Sequence, residues 1–198
     1  MQVRKARVQL DFTLNSTDEL TQLVRKNGID SWNQLISFIH NLPYGRNLNK
    51  KDLKLVVVEK KGTSSSKHAL LKKIAELNKI RGVQLILGIY KANKQNTPEI
   101  SKELDEYGLQ YILQARCYLK INKKQVDLTF KGSDFELIQN DILEEIEISP
   151  IQIRNFKDTL LKSSLRKWLR KMDVDLNLEQ IWSIKEKYIL SVTENSMV

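Results

Sequence analysis

Three consecutive serines behind a glycine, followed at once by an apolar run, constrain this chain more than any other feature. The segment reads Gly62-Thr63-Ser64-Ser65-Ser66-Lys67-His68-Ala69-Leu70-Leu71. Glycine breaks whatever precedes it, and Thr63 or Ser64 supplies an oxygen for the amides that a helix start leaves without partners. Ala69, Leu70, Leu71, Ile74, Ala75 and Leu77 then recur at helical spacing. Ser64 therefore stands at a helix N-terminus, where partial positive charge and free amides favour a thiolate and stabilise an oxyanion. A serine gains less there, because its hydroxyl keeps its proton unless a base stands beside it. A capped amphipathic helix accounts for the same residues without any chemistry.

The order of elements around this helix predicts an α+β fold. Residues 3–13 alternate loosely enough for a strand, residues 17–26 and 30–42 read as helices, and Pro43 stops the second. Strands are expected over 83–90, 111–121 and 125–129, the last two joined by a tight turn at 122–124. Ser149-Pro150 opens a long amphipathic helix to about Met172, and a closing helix spans about 178–192. The expected organisation is one domain over residues 1–198, with a core at about 30–135 and C-terminal helices at about 150–192 packed on it.

Several segments, in order, resemble one family. The Gly62 to Leu71 stretch is similar to the Gly-x-Cys-x-x-x-x-Ala-Leu-Leu helix start of transglutaminase-like proteins, in the superfamily of papain-like thiol enzymes, with Ser64 where the cysteine belongs. Leu42-Pro43-Tyr44-Gly45-Arg46 resembles the turn leading to the nucleophile in a bacterial branch of that family, and Thr97-Pro98 with Leu104 to Leu109 resembles its connecting segment. Ala115-Arg116-Cys117-Tyr118-Leu119-Lys120-Ile121 resembles the strand carrying the general base, and Gln125-Val126-Asp127-Leu128-Thr129 the strand ending in the orienting aspartate. Leu178 to Glu186 resembles the closing helix, so the likeness runs from about residue 35 to about residue 190. It implies a transglutaminase-like, papain-like fold, with the nucleophile helix packed on a small antiparallel sheet and extra helices at the C-terminus.

The departures from that pattern bear on function. Where the family has Ala-His-Cys-Tyr-Leu, this chain has Arg116, and a guanidinium offers no acceptor and stays protonated, so it cannot take a nucleophile's proton. Of the implied triad at Ser64, Arg116 and Asp127 only the aspartate is retained, and an Arg116 to Asp127 ion pair is its natural use. His68 lies four residues after Ser64, and its side chain leans back toward the helix start, which leaves a rebuilt Ser64 to His68 dyad as a second reading. Cys117 should point to the opposite strand face from Arg116, as a buried structural thiol. The resemblance thus implies a pseudoenzyme whose former cleft, around Tyr44, Arg46 and Arg116, holds a peptide, a protein segment or an acidic small ligand. The alternative is an active amide-bond enzyme (a peptidase, amidase or acyl-transferase), working through Ser64 with His68 or through a cysteine at position 64 exchanged for serine by design.

Composition narrows the remaining classes. A single cysteine rules out an internal disulfide and argues against structural zinc, and no Walker-type glycine loop is found, so neither metal nor cofactor is expected. The first residues lack the apolar stretch of a secretory leader and no apolar run is long enough to span a bilayer, which predicts a cytoplasmic protein without a membrane span. The net charge of +9 adds a competing partner. Residues 154–171 carry Lys162, Arg166 and Arg170 at four-residue spacing, a basic ridge able to meet nucleic acid or an acidic membrane surface. Phe156 and Trp168 fall on the apolar side and do not interleave these cations for base stacking, which favours an ordinary solvated face.

Overall fold

The computed structural model describes residues 11–153, 155–172 and 174–195. Four helices lead into the sheet: α1 (Glu19–Lys26), α2 (Trp32–Asn41), α3 (Lys54–Val58) and α4 (Ser64–Leu77). Their starts follow local chemistry. Asp18 accepts from the amides of Leu20 and Thr21 ahead of α1, and Ser31 and Gln34 form a reciprocal capping box at α2, which ends one residue before the Leu42-Pro43 pair.

Strands β1 (Val83–Ala92), β2 (Ile112–Ile121), β3 (Lys124–Val126) and β4 (Ile142–Ile148) form one antiparallel sheet in the order β3-β2-β1-β4. Short helix α5 (Ser101–Glu106) lies between β1 and β2, and α6 (Phe156–Leu169) and α7 (Leu178–Asn195) follow the sheet. The turn between β2 and β3 is tighter than expected: Asn122 and Lys123 both take positive φ, 48° and 71°, so that Ile121 pairs directly with Lys124. Two successive left-handed residues match the twist of the flanking strands.

Gly88 shows why a glycine interrupts the central strand β1. A Cβ there would stand 2.9 Å from Cε1 of Tyr118, whose ring crosses above it and whose hydroxyl donates to Glu145 of β4 at 2.6 Å. Lys120 also reaches Glu145 (3.4 Å), and Gln84 donates to Glu147 (2.6 Å). The acidic stretch Glu144, Glu145 and Glu147 is therefore part of an edge strand that the sequence reading did not anticipate.

Two apolar clusters frame the sheet. In the first, Leu35, Leu70, Leu71 and Ile74 from α2 and α4 pack with Leu85, Leu87 and Leu119. In the second, Ile89 and Leu113 meet Leu161, Leu165, Ile181 and Ile184 from α6 and α7. Two expectations are corrected, and a third falls mostly outside the described residues. The strand expected over 125–129 stops at Val126, leaving Asp127 just past its end. The helix expected from Pro150 is instead a four-residue three-ten turn, Pro150–Ile153, separate from α6 and tightened by a bond from Gln152 N to Ser149 O (3.0 Å), while Gln152 Oε1 accepts from the Ser149 amide (2.7 Å). The strand expected over residues 3–13 lies mostly outside the described residues; within them Thr13 makes a single bridge to Ser31.

Candidate functional site

A cavity of about 310 Å³ opens at the start of α4 and is lined from α4, β1, β2, α6 and α7. Thr63 is the cap of α4: its side chain accepts from the Ser66 amide at 3.4 Å, while Ser66 Oγ accepts from the Thr63 amide at 3.0 Å. Ser64 is consequently the first helical residue and Ser65 the second, both buried and both facing the cavity. The turn before α4 leaves no room for a side chain at position 62. A Cβ on Gly62 would lie 2.9 Å from Lys67 Cγ and 2.9 Å from Ser66 Oγ, while the backbone there is stitched to the 43–45 turn by Gly62 N to Pro43 O and Gly45 N to Gly62 O, each 3.3 Å.

Lys67 fastens this turn to the far side of the site. Fully buried, its Nζ donates to the carbonyls of Leu42 (2.5 Å) and Thr129 (2.6 Å). Burial lowers its pKa to about 8, against the pull of Asp127, so the amine is still protonated at neutral pH and keeps both bonds.

Arg116 and Asp127 meet as expected, with Nη1 donating to Oδ2 at 3.2 Å. The other oxygen of Asp127 accepts from the Thr129 amide (2.9 Å) and from the Thr129 hydroxyl. Burial works against the charged carboxylate, but Arg116 beside it and these hydrogen bonds outweigh burial and hold the carboxyl below its usual range. The guanidinium in turn lies over the Tyr90 ring, 5.5 Å from its centroid.

His68 does not serve Ser64 as a base. Its Nδ1 bonds the backbone carbonyl of Ser64 at 2.7 Å, and its Nε2 accepts from the Leu128 amide at 2.8 Å, a pattern that assigns the neutral tautomer with the proton on Nδ1. Both nitrogens are thereby used by the backbone, and the 3.8 Å approach of Nε2 to Asp127 is not an ion pair. Burial lowers the imidazole pKa to about 4, with Asp127 opposing only part of the shift. In place of the alternative Ser64 to His68 dyad stands a staple between α4 and the segment after β3.

Tyr44 and Arg46 both line the cavity. Burial pushes the Tyr44 hydroxyl up to about 12, against the pull of Arg116 and Arg46. Arg46 sits at the rim, paired with Glu186 of α7 at 2.7 Å. Cys117 is fully buried, absent from the cavity lining, and near Ser65 Oγ at 3.6 Å.

Several lining residues carry no site signal in the sequence, Gln114, Lys185 and Tyr188, while Lys157 reads there only as one cation of the basic 154–171 helix. Lys157 Nζ donates to Ser65 Oγ at 2.8 Å across 92 positions of chain. Gln114 is 4% exposed and its Nε2 has no hydrogen-bond partner among the described residues. The basic ridge of α6 is correspondingly divided. Lys157 faces the cavity and Lys162 lies over the Trp182 ring at 4.6 Å, while Arg166 and Arg170 are exposed.

Among the described residues, no cluster of three or more His, Cys, Asp or Glu side chains is placed to hold a metal ion, and no helix is long and apolar enough to cross a membrane. No protein-family model, no curated protein and no solved structure matches the chain. What the fold defines is an α+β protein with a four-stranded antiparallel sheet and a cation-lined cavity at a helix start.

Proposed function

We propose that this chain is a transglutaminase-like domain with a degenerate triad, a pseudoenzyme for thiol chemistry, whose cavity binds a peptide or small ligand through an acidic group. The observation that carries the reading is the lining: Arg46, Lys50, Arg116, Lys157 and Lys185 face one cavity at the start of α4, and although Arg46 and Lys185 share Glu186, Lys50 meets Asp158 and Arg116 meets Asp127, only one of those carboxylates, Asp158, is itself among the lining residues. A helix N-terminus adds partial positive charge to that set. Arg116 occupies the position of the base and spends its charge on Asp127, which leaves Ser64 without a proton acceptor. The alternative of an enzyme working through Ser64 and His68 gains no support from an imidazole bonded on both sides to the backbone.

The test is an equilibrium titration with an N-acetylated tri-glutamate peptide beside its tri-glutamine counterpart, at two salt concentrations. The acidic peptide should bind, more weakly as salt rises, and lose affinity in Lys185→Met. Equal binding of both peptides, or binding of neither, would sink the acidic-ligand reading.

A further inference from the structure

We propose that Ser65 and Lys157 form a serine-lysine acyl-transfer pair, in which Ser65 Oγ attacks the carbonyl carbon of an ester or amide whose acid part carries a negative charge. The negative charge rests on the reading of the cavity given above; the pair itself does not.

Three independent placements support the pair. Lys157 Nζ and Ser65 Oγ are 2.8 Å apart, within proton-transfer reach, and both residues line the cavity. Ser65 is the second residue of a 14-residue helix, so its own amide and that of Ser64 precede the first intrahelical donors and have no acceptor within the helix, which suits them to hold an oxygen that gains charge. Gln114 brings a third donor to the same cavity, a carboxamide nitrogen that is buried and unpartnered among the described residues. Burying such a group without a partner costs free energy, and a carbonyl oxygen in the cavity would relieve it.

Lys157 is also placed to give up its charge. It makes no ion pair with a carboxylate among the described residues; its neighbour Asp158 pairs with Lys50 at 3.1 Å. Burial is the largest influence lowering its pKa, and the positive charges of Lys185 and Arg116 add to it. Cys117 behind Ser65 does not compete as a nucleophile, because burial raises its thiol pKa and keeps it protonated.

The step balances without a cofactor. The neutral amine of Lys157 takes the hydroxyl proton as the Oγ–C bond forms, and the carbonyl oxygen becomes an oxyanion held by the helix-start amides. The C–O or C–N bond then breaks, its electron pair leaving with the alcohol or amine, which receives the proton from Nζ. Water repeats the sequence on the acyl-serine, releasing the acid and returning the proton to Ser65.

The experiment treats the full chain with a neutral alkyl fluorophosphonate and maps the adduct by mass spectrometry. A single adduct on Ser65 is expected, forming about a hundredfold more slowly in Lys157→Met and at the parent rate in Lys167→Met, an exposed lysine of the same helix. No adduct on Ser65 in protein that melts cooperatively, or an adduct indifferent to Lys157, overturns the pair. Should Lys157→Met fail to fold, Ser65→Cys decides: under reducing conditions its alkylation by iodoacetamide should have a pH midpoint below the ~8.5 of a free thiol, and an ordinary midpoint overturns the pair. Turnover of p-nitrophenyl glutarate against p-nitrophenyl acetate reads the charge separately. A preference for the glutarate supports the anionic substrate, whereas equal rates remove it and leave Ser65 and Lys157 standing.

Discussion

On the transglutaminase-like reading proposed above, the side chain at position 116 decides which chemistry Ser64 can take part in. A thiol enzyme needs a group that accepts the nucleophile's proton and returns it to the leaving amine, and a guanidinium does neither. Exchanging Ser64 for cysteine alone should therefore leave a peptide p-nitroanilide intact, while Ser64→Cys with Arg116→His should release nitroaniline, since Asp127 already stands against the side chain at 116. Release by the single variant would show that Arg116 is compatible with turnover and that the triad assignment is wrong. The Arg116 to Asp127 pair could be expected from the sequence, because the family resemblance sets both residues at neighbouring triad positions and a guanidinium beside a carboxylate pairs with it. The role of His68 could not. Helical spacing brings it near Ser64, yet the choice between the Ser64 hydroxyl and the Ser64 carbonyl depends on where Leu128 lies, and no local pattern contains that.

Among the elements, α4 is the one whose local sequence says most. Its cap, its first turn and its buried face are written in consecutive residues, because capping and helical periodicity are short-range effects. Thr63→Ala should cost about 1 kcal/mol of stability in denaturant unfolding, from loss of the bond that the Thr63 hydroxyl accepts from the Ser66 amide; an unchanged midpoint would mean that the 3.4 Å bond contributes nothing. Elements that depend on partners were harder to read. β4 exposes Leu143, Glu144, Glu145 and Glu147 at a sheet edge, so its apolar alternation is weak and its charges suggest a solvated segment until Lys120, Gln84 and Tyr118 are brought against them. The stretch from Pro150 fails as one helix for a local reason, the three-ten turn that Ser149 and Gln152 close around it, which the amphipathic pattern masked.

For the whole molecule, the buried imidazole sets a pH dependence of stability. His68 is fully buried and surrounded by Asp127, Lys67 and Arg116, and its folded pKa of about 4 lies below the ordinary 6.5. Between these values the unfolded chain binds a proton that the folded chain refuses, so stability is fully present above about pH 6.5 and is lost as pH falls toward about 4, by roughly 3 kcal/mol. Asp127, held below its usual range, adds a loss of the same sign at still lower pH. Denaturant midpoints followed across this interval should show the decline, and His68→Phe, though less stable at neutral pH for want of a partner to the Leu128 amide, should flatten it. A wild-type midpoint that does not move between pH 6.5 and 4 would mean that the ring is solvated and charged.

The sequence by itself determined the helices with strong caps and periodic apolar faces, the two long strands, and that the side chain at position 116 cannot accept a proton. These follow from interactions among neighbours in the chain or from the fixed chemistry of one side chain. Tertiary structure alone decided that Lys157 meets Ser65, that His68 binds the backbone on both sides, and that five cationic side chains face one cavity. Those placements join residues far apart in the chain, and their energies come from burial and from charge brought close in a low-dielectric interior, quantities that exist only once distant elements have packed.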